Sequence, residues 1–91
     1  MHTPVYTRQF ERDIRKAEKR GKNLGKLKII VRTLIEGGKL DALHRDHQLV
    51  GNYAGRRECH IEADWLLIYK IEKDRIIFER IGSHSDLFKQ Y

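Results

Sequence analysis

The sequence predicts an α+β fold spanning residues 1–91 as a single domain, in which a small antiparallel β-sheet packs against an N-terminal α-helical hairpin. Three observations carry that prediction. Apolar residues recur at helical spacing over residues 8–36, they alternate with polar ones over residues 57–81, and 91 residues with 40% apolar and 35% charged side chains suffice for one modest core. Folding at this length buries only about 60 to 65% of the unfolded chain's surface, which leaves no room for a large cofactor cage.

Taken in order, Pro4, Val5 and Tyr6 form a short extended segment, and Thr7 is suited to N-cap a helix. From Arg8 to about Arg20, Phe10, Ile14 and Ala17 recur at helical spacing among Arg12, Arg15, Lys16 and Lys19, a narrow apolar stripe on a basic helix that Gly21 ends. Residues 24–36 repeat the pattern with Leu24, Leu27, Ile30, Val31, Leu34 and Ile35, and Gly37-Gly38 supplies a C-cap. So short a break between helices predicts an αα-hairpin. Residues 39–55 read as a long loop, rich in charge and glycine and holding His44 and His47. The period then changes to two. Arg57, Cys59 and Ile61 alternate with Glu58, His60 and Glu62, and Trp65 to Ile71 is an apolar strand. Lys73-Asp74 marks a tight turn before a last strand, Arg75 to Ile81, with Ile77 and Ile81 on one face and Ile76, Phe78 and Arg80 on the other. Gly82 to Ser85 breaks it, and Asp86 to Tyr91 reads as a tail with one helical turn. The helices are expected to cover one face of this meander and leave the other open to solvent or a ligand.

Lys and Arg total 19 against 13 Asp and Glu, a net charge of +6 that favours a polyanionic partner. Residues 1–45 hold 12 of these bases and 5 acids, while residues 46–91 hold 7 and 8, so the basic excess lies in the first half. Four of the five His, at 44, 47, 60 and 84, lie from the end of that half onward. The single cysteine, Cys59, excludes an internal disulfide and a multi-cysteine zinc site and fits a reducing compartment. The N-terminus turns charged too early for a secretory leader, and the longest apolar run, Trp65 to Tyr69, is far below the roughly 20 residues a membrane helix needs. A cytoplasmic chain without membrane contact is expected.

His60 and Asp64 flank the turn between two predicted strands, while Arg80 and His84 bracket the end of the next. Antiparallel pairing brings such positions within several ångströms, placing two imidazoles, a carboxylate and a guanidinium on one surface. That set suits RNA cleavage by attack of a 2′-hydroxyl on the neighbouring phosphate: a base removes the proton, an acid protonates the leaving 5′-oxygen, and a cation offsets phosphate charge. It needs no metal. Each group also has an ordinary structural reading: a solvated His, a turn Asp, an Arg paired with Glu79 or Glu62, and Trp65 and Phe88 as core residues. A zinc site built on His44 and His47 with His60 or Asp64 is disfavoured, since zinc pairs sit on helices or knuckles and Arg45 would repel the cation.

The segments RDHQLVGNYAGRRECHIEADWLLIYK and FERIGSHSDLF, with KRGKNLGKLKIIVRTLI more loosely, resemble the YafQ branch of the RelE-type bacterial toxins over nearly the whole chain. The most specific elements are D-H-x-L-x-G, H-x-E-x-D-W-x-L-I-Y and F-x-R-x-G-x-H-x-x-L-F, in that order. The resemblance implies a ribosome-dependent endoribonuclease, the toxin of a type II toxin–antitoxin pair, that cuts mRNA in the A site of the 30S subunit. It maps His47, His60, Asp64, Arg80 and His84 onto the family's functional positions, with Trp65 and Phe88 on its aromatic positions as RNA-binding or site-supporting residues. His84 is expected to transfer a proton at the scissile phosphate with Asp64 or His60 as counterpart, Arg80 to neutralise the phosphate, and His47 to orient RNA or share proton transfer. No cofactor is implied. The expected partners are a cognate antitoxin, the ribosome with its rRNA, and mRNA, with operator DNA reached only through the antitoxin complex. The alternatives are a basic nucleic-acid-binding module without catalysis and a protein–protein adaptor.

Overall fold

Each helix begins where a side chain satisfies its free N–H groups. Thr7 accepts from the N–H of Phe10 to start α1 (Arg8–Lys19), and Asn23 accepts from Gly25 to start α2 (Leu24–Ile35). In the computed structural model, which describes residues 1–88, the strands are β1 (Thr3–Tyr6), β2 (His47–Gln48), β3 (Arg57–Glu62), β4 (Trp65–Glu72) and β5 (Arg75–Gly82), and a short helix α3 (His84–Leu87) follows. They form one sheet in the order β1-β5-β4-β3-β2. The predicted meander β3-β4-β5 is antiparallel. Two strands extend it beyond the prediction: β1 pairs parallel with β5, and β2, only two residues of the expected loop, pairs with β3. Of the predicted tail, residues 89–91 lie outside the described residues, and the helical turn begins two residues earlier, at His84.

The helices cover one face of this sheet as their stripes require. Phe10, Ala17, Leu27, Ile30 and Leu34 pack with Cys59, Ile61, Trp65, Leu67, Tyr69, Ile76, Phe78 and Ile81. Burial pushes the Cys59 thiol far above its usual range, so it packs as an inert apolar group. α1 lies on β5 and α2 on β3, and a groove of about 500 Å³ opens between them, lined by Tyr6, Phe10, Ile14, Leu27, Val31 and Ile35.

The predicted alternation of β5 fails at one residue. Ile68 pairs with Arg80 but Tyr69 pairs with Phe78, so Glu79 is bulged out of the ladder and the parity of the strand changes there. Ile81 therefore joins Ile76 and Phe78 in the helix-side core instead of siding with Ile77. A second irregularity at Ile61 ends the alternation of β3, and Glu62 meets Lys22 at 3.8 Å and Lys26 at 2.9 Å.

The other face is also less open than expected. Leu66, Ile68 and Leu87 form a second buried cluster, against which Leu49, Tyr53 and Phe88 pack. The Tyr53 hydroxyl donates to the carbonyl of Leu87 at 3.1 Å, tying the long loop to α3. Close approach at Gly82 permits this docking, since a Cβ there would lie 2.9 Å from that of Asp86.

Asp86 holds α3 in place. It completes a capping box with Ser83 and pairs with Arg20 at 3.0 Å and Lys16 at 3.6 Å on α1. The Ser83 N–H, then Arg20 and Lys16, hold its carboxyl down to about 2. Because the folded value is depressed, its stabilisation is complete above the unfolded value of about 3.9 and is lost as pH falls towards 2. Asp86→Asn is expected to flatten the fall of the urea midpoint between pH 4 and pH 2; an unchanged slope would contradict this.

Candidate active site

A strand, a turn and a helix start bring the polar candidates together on the face opposite the two long helices. β3 carries Glu58 and His60 two residues apart, the β3–β4 turn carries Asp64, and the start of α3 carries His84. Asp64 accepts from the backbone N–H of His84 at 2.9 Å and meets its Nδ1 at 2.6 Å. A carboxylate accepts only, so Nδ1 carries the hydrogen and Nε2 is left free to exchange a proton. The backbone N–H of His84, then its ring, hold the Asp64 carboxyl below the usual carboxylate range. The carboxylate is thus ionised at neutral pH and keeps this tautomer in place. The ring of His60 stands edge-on to that of His84, with centroids 5.8 Å apart, and Phe88 lies 6.4 Å from His84. His84 and Asp64 are mostly exposed, whereas His60 is mostly buried.

His47 reaches the site through β2, directly across from Glu58 on β3. Its Nδ1 donates to the carbonyl of Arg45 at 2.6 Å, and Arg45 adopts the left-handed conformation at φ 48°. Flanking clamps fix this stretch of loop. His44 Nδ1 donates to the carbonyl of His60 at 2.7 Å, and Asp46 accepts from Arg57 at 3.2 Å and from the Tyr69 hydroxyl at 2.6 Å. Burial, then the bond to Asp46, raise the Tyr69 phenol well above its usual range, so it remains a donor. His44 therefore holds the backbone of β3, and among the described residues no group of three or more His, Cys, Asp or Glu is placed to bind a metal.

Arg80 is placed differently from expectation. β1 ends opposite Phe78, which leaves the outer edge of β5 open to α1, and Asp13 fills it. The Asp13 carboxylate accepts from the Ile81 N–H and from Nε and Nη2 of Arg80, each at 3.1 Å. This pairing raises the Arg80 pKa and occupies one edge of its fork. Neither Glu79 nor Glu62 pairs with it: Glu79 binds Arg56, and Glu62 the two lysines. Trp65 is 1% exposed within the helix-side core, so it offers no ring to an RNA base and acts only behind the sheet. Phe88 lies on the site side, edge-on to Tyr53.

Sequence reasoning did not single out Glu58, Asp13 or Asp46. Each draws its environment from strand pairing or helix docking, and only the position of Asp46 before His47 was visible in the motif.

A family model described as "Bacterial toxin of type II toxin-antitoxin system, YafQ" matches residues 2–89. The chain is 42% identical over 84 residues to the mRNA interferase toxin YafQ of Escherichia coli K12, covering 91% of each chain. It superposes on the crystal structure of YafQ from E. coli BL21(DE3) with a TM-score of 0.92 at 38% identity, over 97% of this chain and 99% of that one. It is also similar to YafQ in the E. coli DinJ-YafQ complex, with a TM-score of 0.91 at 39% identity over 97% and 99% of the two chains.

Proposed function

The chain belongs to the YafQ family of type II toxins and is an mRNA interferase; on that premise we propose that it cuts mRNA in the ribosomal A site through His47, His60, Asp64, Arg80 and His84. The observation that carries this reading is the fixed tautomer of His84, whose Nε2 has no hydrogen-bond partner among the described residues while Asp64 holds Nδ1 and a second imidazole lies 5.8 Å away. A binding module needs the basic surface but has no use for a locked tautomer beside a second imidazole.

His60 takes the proton of the 2′-hydroxyl as its oxygen attacks the adjacent phosphorus. The bond from phosphorus to the 5′-oxygen breaks, and His84 Nε2 donates a proton to that oxygen. Asp64 acts as a positioning residue and stabilises the imidazolium form of His84. The edge of Arg80 not held by Asp13 points its remaining donors at phosphate, and Phe88 supports the ring of His84. His47 orients the RNA. The ribosome supplies the substrate conformation, and the basic first half of the chain meets rRNA.

A cognate antitoxin is the protein partner, as DinJ is for the E. coli relative. An acidic antitoxin complements the basic helices and associates at a salt-sensitive rate. Operator DNA is reached only through that complex.

Ribosomes programmed with a defined mRNA test the reading. The message is expected to be cut within the A-site codon, and the same RNA free in solution to be cut far more slowly. Equal rates on both would remove the ribosome from the account, and an intact message would remove catalysis.

A further inference from the structure

Glu58 is a carboxylate in an unusual place. It sits inside β3 at 5% exposure, and its ion-pair contacts among the described residues are both to imidazoles. Its Oε1 lies 3.5 Å from Nε2 of His47 and 3.6 Å from Nε2 of His60. The arrangement follows from the backbone, because His47 is the cross-strand partner of Glu58 and His60 follows it by two residues on the same face. The backbone aims the contact: Nδ1 of His47 donates to the Arg45 carbonyl, which turns Nε2 to Glu58, and Nε2 donates to that carboxylate only in the imidazolium form.

Burying a carboxylate is costly unless positive charge or hydrogen bonds compensate it, and a structural role would be filled as well by an apolar residue. Here compensation comes from two side chains that carry charge only when protonated. The negative charge is also fixed in a site where positive charge has to appear.

We propose that Glu58 is a positioning residue of the cleavage site, a shared counter-charge that orients His47 and His60 and stabilises the imidazolium formed when His60 takes the 2′-hydroxyl proton. This rests on the acid–base reading above. Atoms balance as in that reading, since Glu58 exchanges no proton: the hydrogen leaving the 2′-oxygen ends on His60, and the 5′-oxygen receives its own from His84. The stabilisation is preorganised, because β3 holds the carboxylate in place before RNA arrives.

The test compares Glu58→Gln and Glu58→Asp with the parent chain by single-turnover cleavage on programmed ribosomes, ribosome affinity, thermal unfolding, and nitrogen-15 spectra of the imidazoles. Glu58→Gln keeps the shape and removes the charge. It is expected to fold, to bind ribosomes with unchanged affinity and to cleave about 10- to 100-fold more slowly. Glu58→Asp restores the charge one methylene further back and is expected to cleave faster than Glu58→Gln. In the free protein, Glu58→Gln should shift the ring nitrogens of His47 and His60 and leave those of His84 in place. That spectral readout stands even if the parent fails to cut mRNA, so failure of the acid–base reading is distinguishable from failure of this one. Parental cleavage by Glu58→Gln, unmoved His47 and His60 nitrogens, or a Gln variant that does not fold would each overturn the proposal.

Discussion

Replacing His84 with alanine is expected to lower single-turnover cleavage by about 10²- to 10⁴-fold, the usual contribution of a positioned acid or base. The fold should tolerate the change. The His84 side chain is 56% exposed, and Asp64 keeps its bond to the backbone N–H of residue 84, so stability should move by no more than about 0.5 kcal/mol. Ribosome affinity should also hold, because Nε2 is invoked for proton transfer in the transition state rather than for binding. A fall in rate without a fall in affinity is the signature of such a group. Weaker ribosome binding at a parental cleavage rate would instead make His84 an RNA contact.

A large stability effect is expected at Asp13, a residue of α1 far from His84 in sequence. Asp13 is 7% exposed, and its carboxylate serves the Ile81 N–H, two donors of Arg80 and the Gln9 amide. Asp13→Ala leaves a half-buried guanidinium and a buried backbone donor without their acceptor, a loss of about 3 kcal/mol. For a chain whose total stability is on the order of 5 to 15 kcal/mol, that is a large fraction. The urea midpoint should drop with an unchanged slope. Cleavage should weaken as well, since Asp13 fixes the end of β5 and His84 lies three residues beyond Ile81. A stability change below about 1 kcal/mol would mean that water replaces the carboxylate without difficulty.

Legibility of the fold in the sequence followed the range of the interactions that set each element. Both long helices end within one residue of where their apolar spacing and glycines put them, because caps and periodicity are local signals. The strands of the meander were equally readable. What the sequence hid depends on distant residues. β1 pairs with β5 across more than 70 residues, β2 is too short to show a period, and the bulge at Glu79 reverses the facing of Ile81 without altering composition. Neighbouring residues in the chain could not reveal the cover over the second face, which comes from Tyr53 and Leu87 in separate segments.

The site divides in the same way. His60, Asp64 and His84 were visible because they bracket a turn and a strand end that local pattern defines. Arg80 is visible as a position in the sequence, but its partner Asp13 is not, and that partner decides how much of the guanidinium is left unpaired. The spacing of His44 to His47 does not point to a metal in the sequence, and it does not reveal the bond by which His44 holds the backbone of β3 either. In the sequence Glu58 is one residue of an alternating strand beside His60, and only the pairing of β2 with β3 brings the second imidazole, His47, to it.

The central claim is that paired imidazoles, His84 fixed by Asp64 and His60 beside it, drive attack by the 2′-hydroxyl. Mapping the ends of mRNA cut on programmed ribosomes tests it directly, using one message with an ordinary ribose and one with a single 2′-deoxy sugar before the scissile phosphate. The account predicts a 2′,3′-cyclic or 3′-phosphate with a 5′-hydroxyl from the first and no cleavage of the second. A 5′-phosphate product, or cutting of the 2′-deoxy message, would contradict it.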